Sequence, residues 1–248
     1  MTNEIFFDDF SNLSNWLNFG SPLPYTRGGL YFVNGDSWYA SGSYSKQRFK
    51  IKDGLVLEFK ACQRTGDVWD MFYHIGFGKN YQYNEKHIPY AITFGIYGHN
   101  PDRNMKVNNA IICRCGNNTK TMLNLNDGKP HIYKIEFENG NVLFYMDGEL
   151  LHQCSNPYLG QELPLLISGR TYHKGSNWID YIKIYEKEPP RTATTNMVKS
   201  SDGSDSSTSN LMIGIAIIAI SLVVVGYYAY KKGYFRKTGQ VSATQILD

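Results

Sequence analysis

Residues 129–151 read KPHIYKIEFENGNVLFYMDGELL, and their periodicity decides the fold class. Tyr133, Ile135 and Phe137 alternate with Ile132 and Lys134, the two-residue period of a pleated strand rather than the 3.6-residue period of a helix. Glu138-Asn139-Gly140-Asn141 then separates KIEF from VLFYM, and Asn-Gly suits a tight turn that needs two consecutive positive φ angles. A β-hairpin is therefore predicted here.

Outward from this hairpin the pattern repeats. Leu55, Leu57 and Phe59 alternate in the same way, and turn signals recur at Arg27-Gly28-Gly29, Lys52-Asp53-Gly54, Asn126-Asp127-Gly128 and Asp147-Gly148. Residues 1–188 contain no convincing amphipathic helix and no internal repeat. About a dozen short strands in one domain imply an all-β, two-sheet antiparallel sandwich or a barrel. Composition agrees: all four Trp, 15 of 19 Tyr and 12 of 13 Phe precede residue 191, and these residue types favour half-buried pleated surfaces.

Charge divides the chain at the same place. The 248 residues carry 25 Lys plus Arg against 22 Asp plus Glu, a net +3, but residues 1–190 hold 19 of each sign. The whole excess, 6 basic against 3 acidic, lies after Pro190. A neutral domain has no net attraction for phosphate backbones, which argues against a general nucleic-acid binder.

That C-terminal part reads as three pieces. Residues 189–210 are a flexible linker, with ten Ser or Thr among 22 positions and no recurring large apolar side chain. Residues 211–230, LMIGIAIIAISLVVVGYYAY, are 20 positions without a charge, which at 1.5 Å per residue spans about 30 Å, the hydrocarbon thickness of a bilayer. A single transmembrane helix is expected, with Tyr227, Tyr228 and Tyr230 as an interfacial belt. Lys231, Lys232, Arg236 and Lys237 make residues 231–248 a short basic tail, against only Arg191 and Lys199 near the other end, so the positive-inside rule puts the C-terminus in the cytoplasm and the large domain outside. MTNEIFFDDFSNLSNW has no basic n-region and no apolar h-region, which leaves open a removed leader or post-translational insertion with the domain in the cytosol. Cys62, Cys113, Cys115 and Cys154 permit two disulfides, but Cys113 and Cys115 point to one strand face and do not suit pairing with each other; buried thiols are the simpler expectation.

Five segments in order, FFDDFSNLSNW, GGLYF, YASGSYSKQRFKIKDGLVLEFKA, KPHIYKIEFENGNVLFYMDGELL and WIDYIKIYE, resemble the concanavalin A-like lectin/glucanase superfamily, nearest its laminarinase and lichenase branch. The resemblance implies a jelly roll of one convex and one concave sheet, with ligand on the concave face. In those hydrolases ExDxE on one strand supplies paired carboxyls, as a retaining glycosidase needs. The matching strand here, residues 87–98 (HIPYAITFGIYG), contains no acid, and Asp67 and Asp70 would point to opposite faces. A catalytically empty scaffold follows, because fold alone licenses no activity.

Binding remains. GDVWDMFYHIGFG matches the family strand that floors the cleft, making Trp69, Asp70 and His74 candidate ligand contacts; Arg170 in LPLLISGRTYH and Trp38 in NGDSWYASG join them. Rings stacking on sugar C–H faces and planar donors to hydroxyls are the chemistry expected. By the same resemblance a structural Ca²⁺ would draw on Asp8 or a neighbour, the Gly54 carbonyl and Asp180. Sequons at Asn12-Leu13-Ser14 and Asn117-Asn118-Thr119 would be usable outside the cell. Three functions fit: a membrane-anchored, non-catalytic domain binding glycan or a surface partner; an atypical glycoside hydrolase; or a structural surface or envelope protein.

Overall fold

The computed structural model describes residues 2–35, 40–65, 70–84, 87–100, 107–171 and 175–187. All belong to the first of the two units into which the chain divides, Met1–Thr192. Their strands are β1 (Thr2–Asp8), β2 (Trp16–Phe19), β3 (Tyr25–Arg27), β4 (Leu30–Phe32), β5 (Ser41–Lys50), β6 (Leu55–Gln63), β7 (Met71–Gly78) and β8 (Tyr90–Tyr97). Then follow β9 (His99–Asn100), β10 (Val107–Asn108), β11 (Ile111–Cys115), β12 (Asn118–Met122), β13 (His131–Glu138), β14 (Asn141–Met146), β15 (Glu149–Ser155), β16 (Glu162–Arg170) and β17 (Asn177–Lys187). There is no α-helix among the described residues.

Two large antiparallel sheets result, beside a two-stranded ribbon of β9 and β10. One has eight strands in the order β15-β14-β13-β6-β17-β4-β3, with β1 also on β17; the other has seven in the order β12-β11-β8-β7-β16-β5-β2. Neighbours are far apart in sequence: β7 sits between β8 and β16, and β17 between β6 and β4. The hairpin predicted at 139–140 forms between β13 and β14, with Asn139 at φ 51° and Gly140 at φ 72°. A Cβ at Gly140 would meet nothing, so the glycine is required by the dihedral and not by space.

The core lies between the sheets. Phe94 on β8 meets Phe59 of β6 at 5.9 Å and Tyr133 of β13 and Phe144 of β14 each at 5.2 Å, so one ring ties three strands of the opposite sheet. Full burial of such side chains contributes about 1.5–3 kcal/mol each. Cys62, Cys113, Cys115 and Cys154 are all buried free thiols, as their strand positions suggested. Cys115 and Cys154 meet across the sheets, where their shared hydrogen bond and then burial push the Cys115 thiol up; burial does the same to Cys113. Neither has the lowered pKa of a reactive thiol.

The strand expected at 87–98 is shorter than its sequence implies, because β8 begins at Tyr90. Pro89 has no N–H to give to the ladder, and its carbonyl instead accepts the Lys79 N–H at 3.1 Å. His87 pairs with Asn84 in an isolated bridge. No helix among the described residues is long and apolar enough to cross a membrane; the span expected at 211–230, its linker and its basic tail lie outside them.

Candidate functional site

The outer face of the seven-stranded sheet is set by what its strands bury. On β8, Ile92, Phe94 and Ile96 enter the core, so Thr93, Gly95 and Tyr97 face out; on β11, Ile111, Cys113 and Cys115 enter it, so Arg114 faces out. On β7 the register shifts between Phe72 and Ile75, both core residues. That bulge lets two consecutive side chains, Tyr73 and His74, leave the interior together.

Arg114 organises the face. Its guanidinium reaches across β8, donating from Nη1 to the Tyr73 carbonyl at 2.9 Å and from Nη2 to the Tyr97 hydroxyl at 3.0 Å. The rings of Tyr90 and Tyr97 lie 5.9 and 5.8 Å from it, within cation–π range. Gly95 makes this crossing possible: a Cβ there would lie 2.4 Å from Arg114 Nη1 and 2.9 Å from Tyr97 Cε2. Arg114 is only 8% exposed, yet it forms no ion pair among the described residues; its partners are neutral.

His74 lies beside it. Nδ1 is 3.1 Å from the Thr93 hydroxyl and the ring stacks on Tyr90, centroids 4.5 Å apart. Burial first, then the charges of Arg114 and His87, hold its pKa well below the ordinary histidine value, so it is neutral at physiological pH. Ser168, opposite His74 in the β16–β7 register, is fully buried, and its Oγ has no hydrogen-bond partner among the described residues. Arg170 packs over the Tyr73 ring at 5.6 Å. Tyr73 and Tyr90 remain half-buried, which leaves ring surface available.

The expected contacts therefore separate. His74 and Arg170 lie on this face and flank Tyr73. Asp70 sits at the sheet end, where its carboxylate accepts the Thr171 hydroxyl at 3.1 Å. Trp38 and Trp69, and Asp67 with them, lie outside the described residues. Arg114, Tyr73, Tyr90, Tyr97 and Ser168 were not singled out from sequence. Arg114 had a usable signal: if Cys113 and Cys115 share the core face, the residue between them must face outward.

Each residue expected at the calcium site has a protein partner. Asp180 pairs with Lys60 at 2.7 Å, while the Gly54 carbonyl accepts the Lys187 N–H at 2.8 Å, seven positions or about 23 Å further along β17. The Asp8 carboxylate is filled by donors from Phe10, Asn15 and Trp16. Among the described residues no group of three or more His, Cys, Asp or Glu is placed to hold an ion.

No protein-family model matches the chain, and neither does any curated protein sequence. Solved structures do resemble it. The laminarinase from Flavobacterium sp. UMI-01 aligns with a TM-score of 0.51 and 16% identity over 74% of this chain and 100% of that one. The Emp47p carbohydrate recognition domain aligns at 0.54 and 9%, over 74% and 97%, and a mutant Emp46p carbohydrate recognition domain at 0.54 and 14%, over 72% and 91%. The domain has the concanavalin A-like jelly-roll fold.

Proposed function

We propose that this chain is a membrane-anchored, non-catalytic binding protein whose jelly-roll domain takes glycan on the outer face of the seven-stranded sheet. The observation that carries the reading is the cluster of Tyr73, Tyr90, Tyr97, His74, Arg114 and Arg170 on four adjacent strands. Half-buried rings beside fixed planar donors are the combination that grips a sugar by its C–H face and its hydroxyls. The jelly-roll neighbours include two carbohydrate recognition domains, which supports a sugar ligand. Against hydrolysis stands the supply of acids: the seven strands carry a single one, Glu162, exposed at the start of β16, whereas a retaining mechanism needs two carboxyls about 5–5.5 Å apart. The anchor rests on the charge-free segment 211–230 with its basic flank, and the same asymmetry supports a domain outside the cell and a cytoplasmic C-terminus. Both sequon asparagines, Asn12 and Asn117, are exposed and would accept glycan there.

Titration of the full-length protein against an oligosaccharide panel tests the reading. Binding that falls at least about tenfold in the Tyr73→Ala, Arg170→Ala double variant supports it, since stacking and charged hydrogen bonds each contribute on that scale. Binding indifferent to both substitutions contradicts it, and release of reducing ends from the panel contradicts the non-catalytic part.

A further inference from the structure

The geometry points to an anionic sugar: the ligand of the seven-stranded face carries a carboxylate or sulfate group that Arg114 receives. This rests on the glycan-binding reading and narrows it. The domain's neutrality hides sheets of opposite net charge. The seven-stranded sheet holds Lys46, Arg48, Lys50, Arg114, Lys120 and Arg170 against Glu162, six minus one or +5. The eight-stranded sheet holds five basic residues (Arg27, Lys60, Lys134, Lys183, Lys187) against eight acidic ones (Glu4, Asp8, Glu58, Glu136, Glu138, Glu149, Asp180, Glu186), or −3.

Within the positive sheet, Arg114 is the cation in greatest need of an anion. Burying a guanidinium without a counter-charge is costly, and two neutral acceptors with two ring faces offset that cost only in part. A planar fork of donors matches carboxylate or sulfate oxygens, whereas a neutral sugar needs no such charge. His74 is neutral and hydrogen-bonded to Thr93, so it neither competes for the anion nor supplies one. Ser168 Oγ lies beside His74, fully buried and without a hydrogen-bond partner among the described residues.

Calorimetric titration of the full-length protein with hexasaccharides separates the possibilities. Hyaluronan supplies carboxylates alone and carrageenan sulfates alone; carboxyl-reduced hyaluronan and desulfated carrageenan are the matched neutral controls, and fifteen-residue oligothymidylate is a polyanion without that chemistry. One acidic sugar should bind at least about tenfold tighter than its neutral control, Arg114→Gln should abolish that gap, and Arg114→Lys, which keeps the charge but not the fork, should restore part of it. A merely structural Arg114 would weaken acidic and neutral sugars equally. Neutral controls binding as tightly as acidic sugars, with loss in Tyr73→Ala, would overturn the anionic group and leave the glycan reading standing. Oligothymidylate binding as tightly as the sugars would overturn it as well, and no binding by any sugar would sink both. Should Arg114→Gln not fold, the wild-type comparison of matched sugars still decides.

Discussion

The two sheets solve the same electrostatic problem in opposite ways. On the eight-stranded sheet every lysine has found an opposite charge: Lys60 pairs with Asp180 at 2.7 Å and Lys183 with Glu58 at 2.9 Å, while Lys52, just before β6, pairs with Glu186 at 2.6 Å. Glu136, nearly buried, takes both Lys134 at 2.7 Å and Lys187 at 2.6 Å. On the seven-stranded sheet Arg114 is more deeply buried than any of those lysines, yet is held by a carbonyl, a hydroxyl and two rings. The lysines of the first sheet are already matched by its carboxylates; the second has a cation to offer. A face that has consumed its own charges gains little from an anionic partner.

Substitutions can break this contrast at graded cost. The largest effect is expected at Gly95. Gly95→Ala should destabilise the fold by about 1–3 kcal/mol through overpacking, because the new methyl meets Tyr97 and the Tyr73 carbonyl as well as the movable guanidinium. Chemical denaturation measures that loss, and an unchanged midpoint would show that Arg114 does not lie across β8. On the opposite face, Glu136→Gln should cost about 1 kcal/mol, limited because both lysines can swing towards water. It should leave ligand titrations unaltered; a change in affinity would mean that the eight-stranded face takes part in binding.

The smallest effect is a pH dependence at the start of β13. His131 lies 2.5 Å from Asp147 and 2.8 Å from Asp127. Burial opposes its charge, but the hydrogen bonds and charges of the two carboxylates outweigh burial and raise its pKa above the ordinary value. A raised folded-state pKa contributes stability that is fully present below the unfolded value, about 6.5, and is lost as pH rises through the folded one. The melting temperature should therefore fall slightly between about pH 6 and 8, and His131→Gln should remove that slope. A slope that persists in the variant assigns it to another group.

Local features of the sequence carried most of the fold. The Asn139-Gly140 turn and the alternation around Phe59 and Ile135 depend on neighbouring residues only, and each reappears where the pattern put it. His74 was picked out because its segment resembles the strand that floors the family's cleft, and Arg170 because a lone arginine in an apolar strand is expensive to bury. What was not legible depends on strand order. Arg114, Tyr73 and Ser168 come together because β11, β8, β7 and β16 are neighbours, and the bulge that turns both Tyr73 and His74 outward breaks the period from which faces are read. Charge separation was hidden in the same way: nineteen of each sign reads as neutral until the strands are sorted into sheets.

Hydrogen-exchange mass spectrometry of the full-length protein, with and without saturating hyaluronan or laminarin hexasaccharide, tests most directly which face binds. Whichever sugar binds should slow exchange in the peptides covering β7, β8 and β11 while leaving those of β13 and β14 unchanged. Protection confined to β13 and β14, or none in either sheet with either sugar, would contradict the assignment of the binding face.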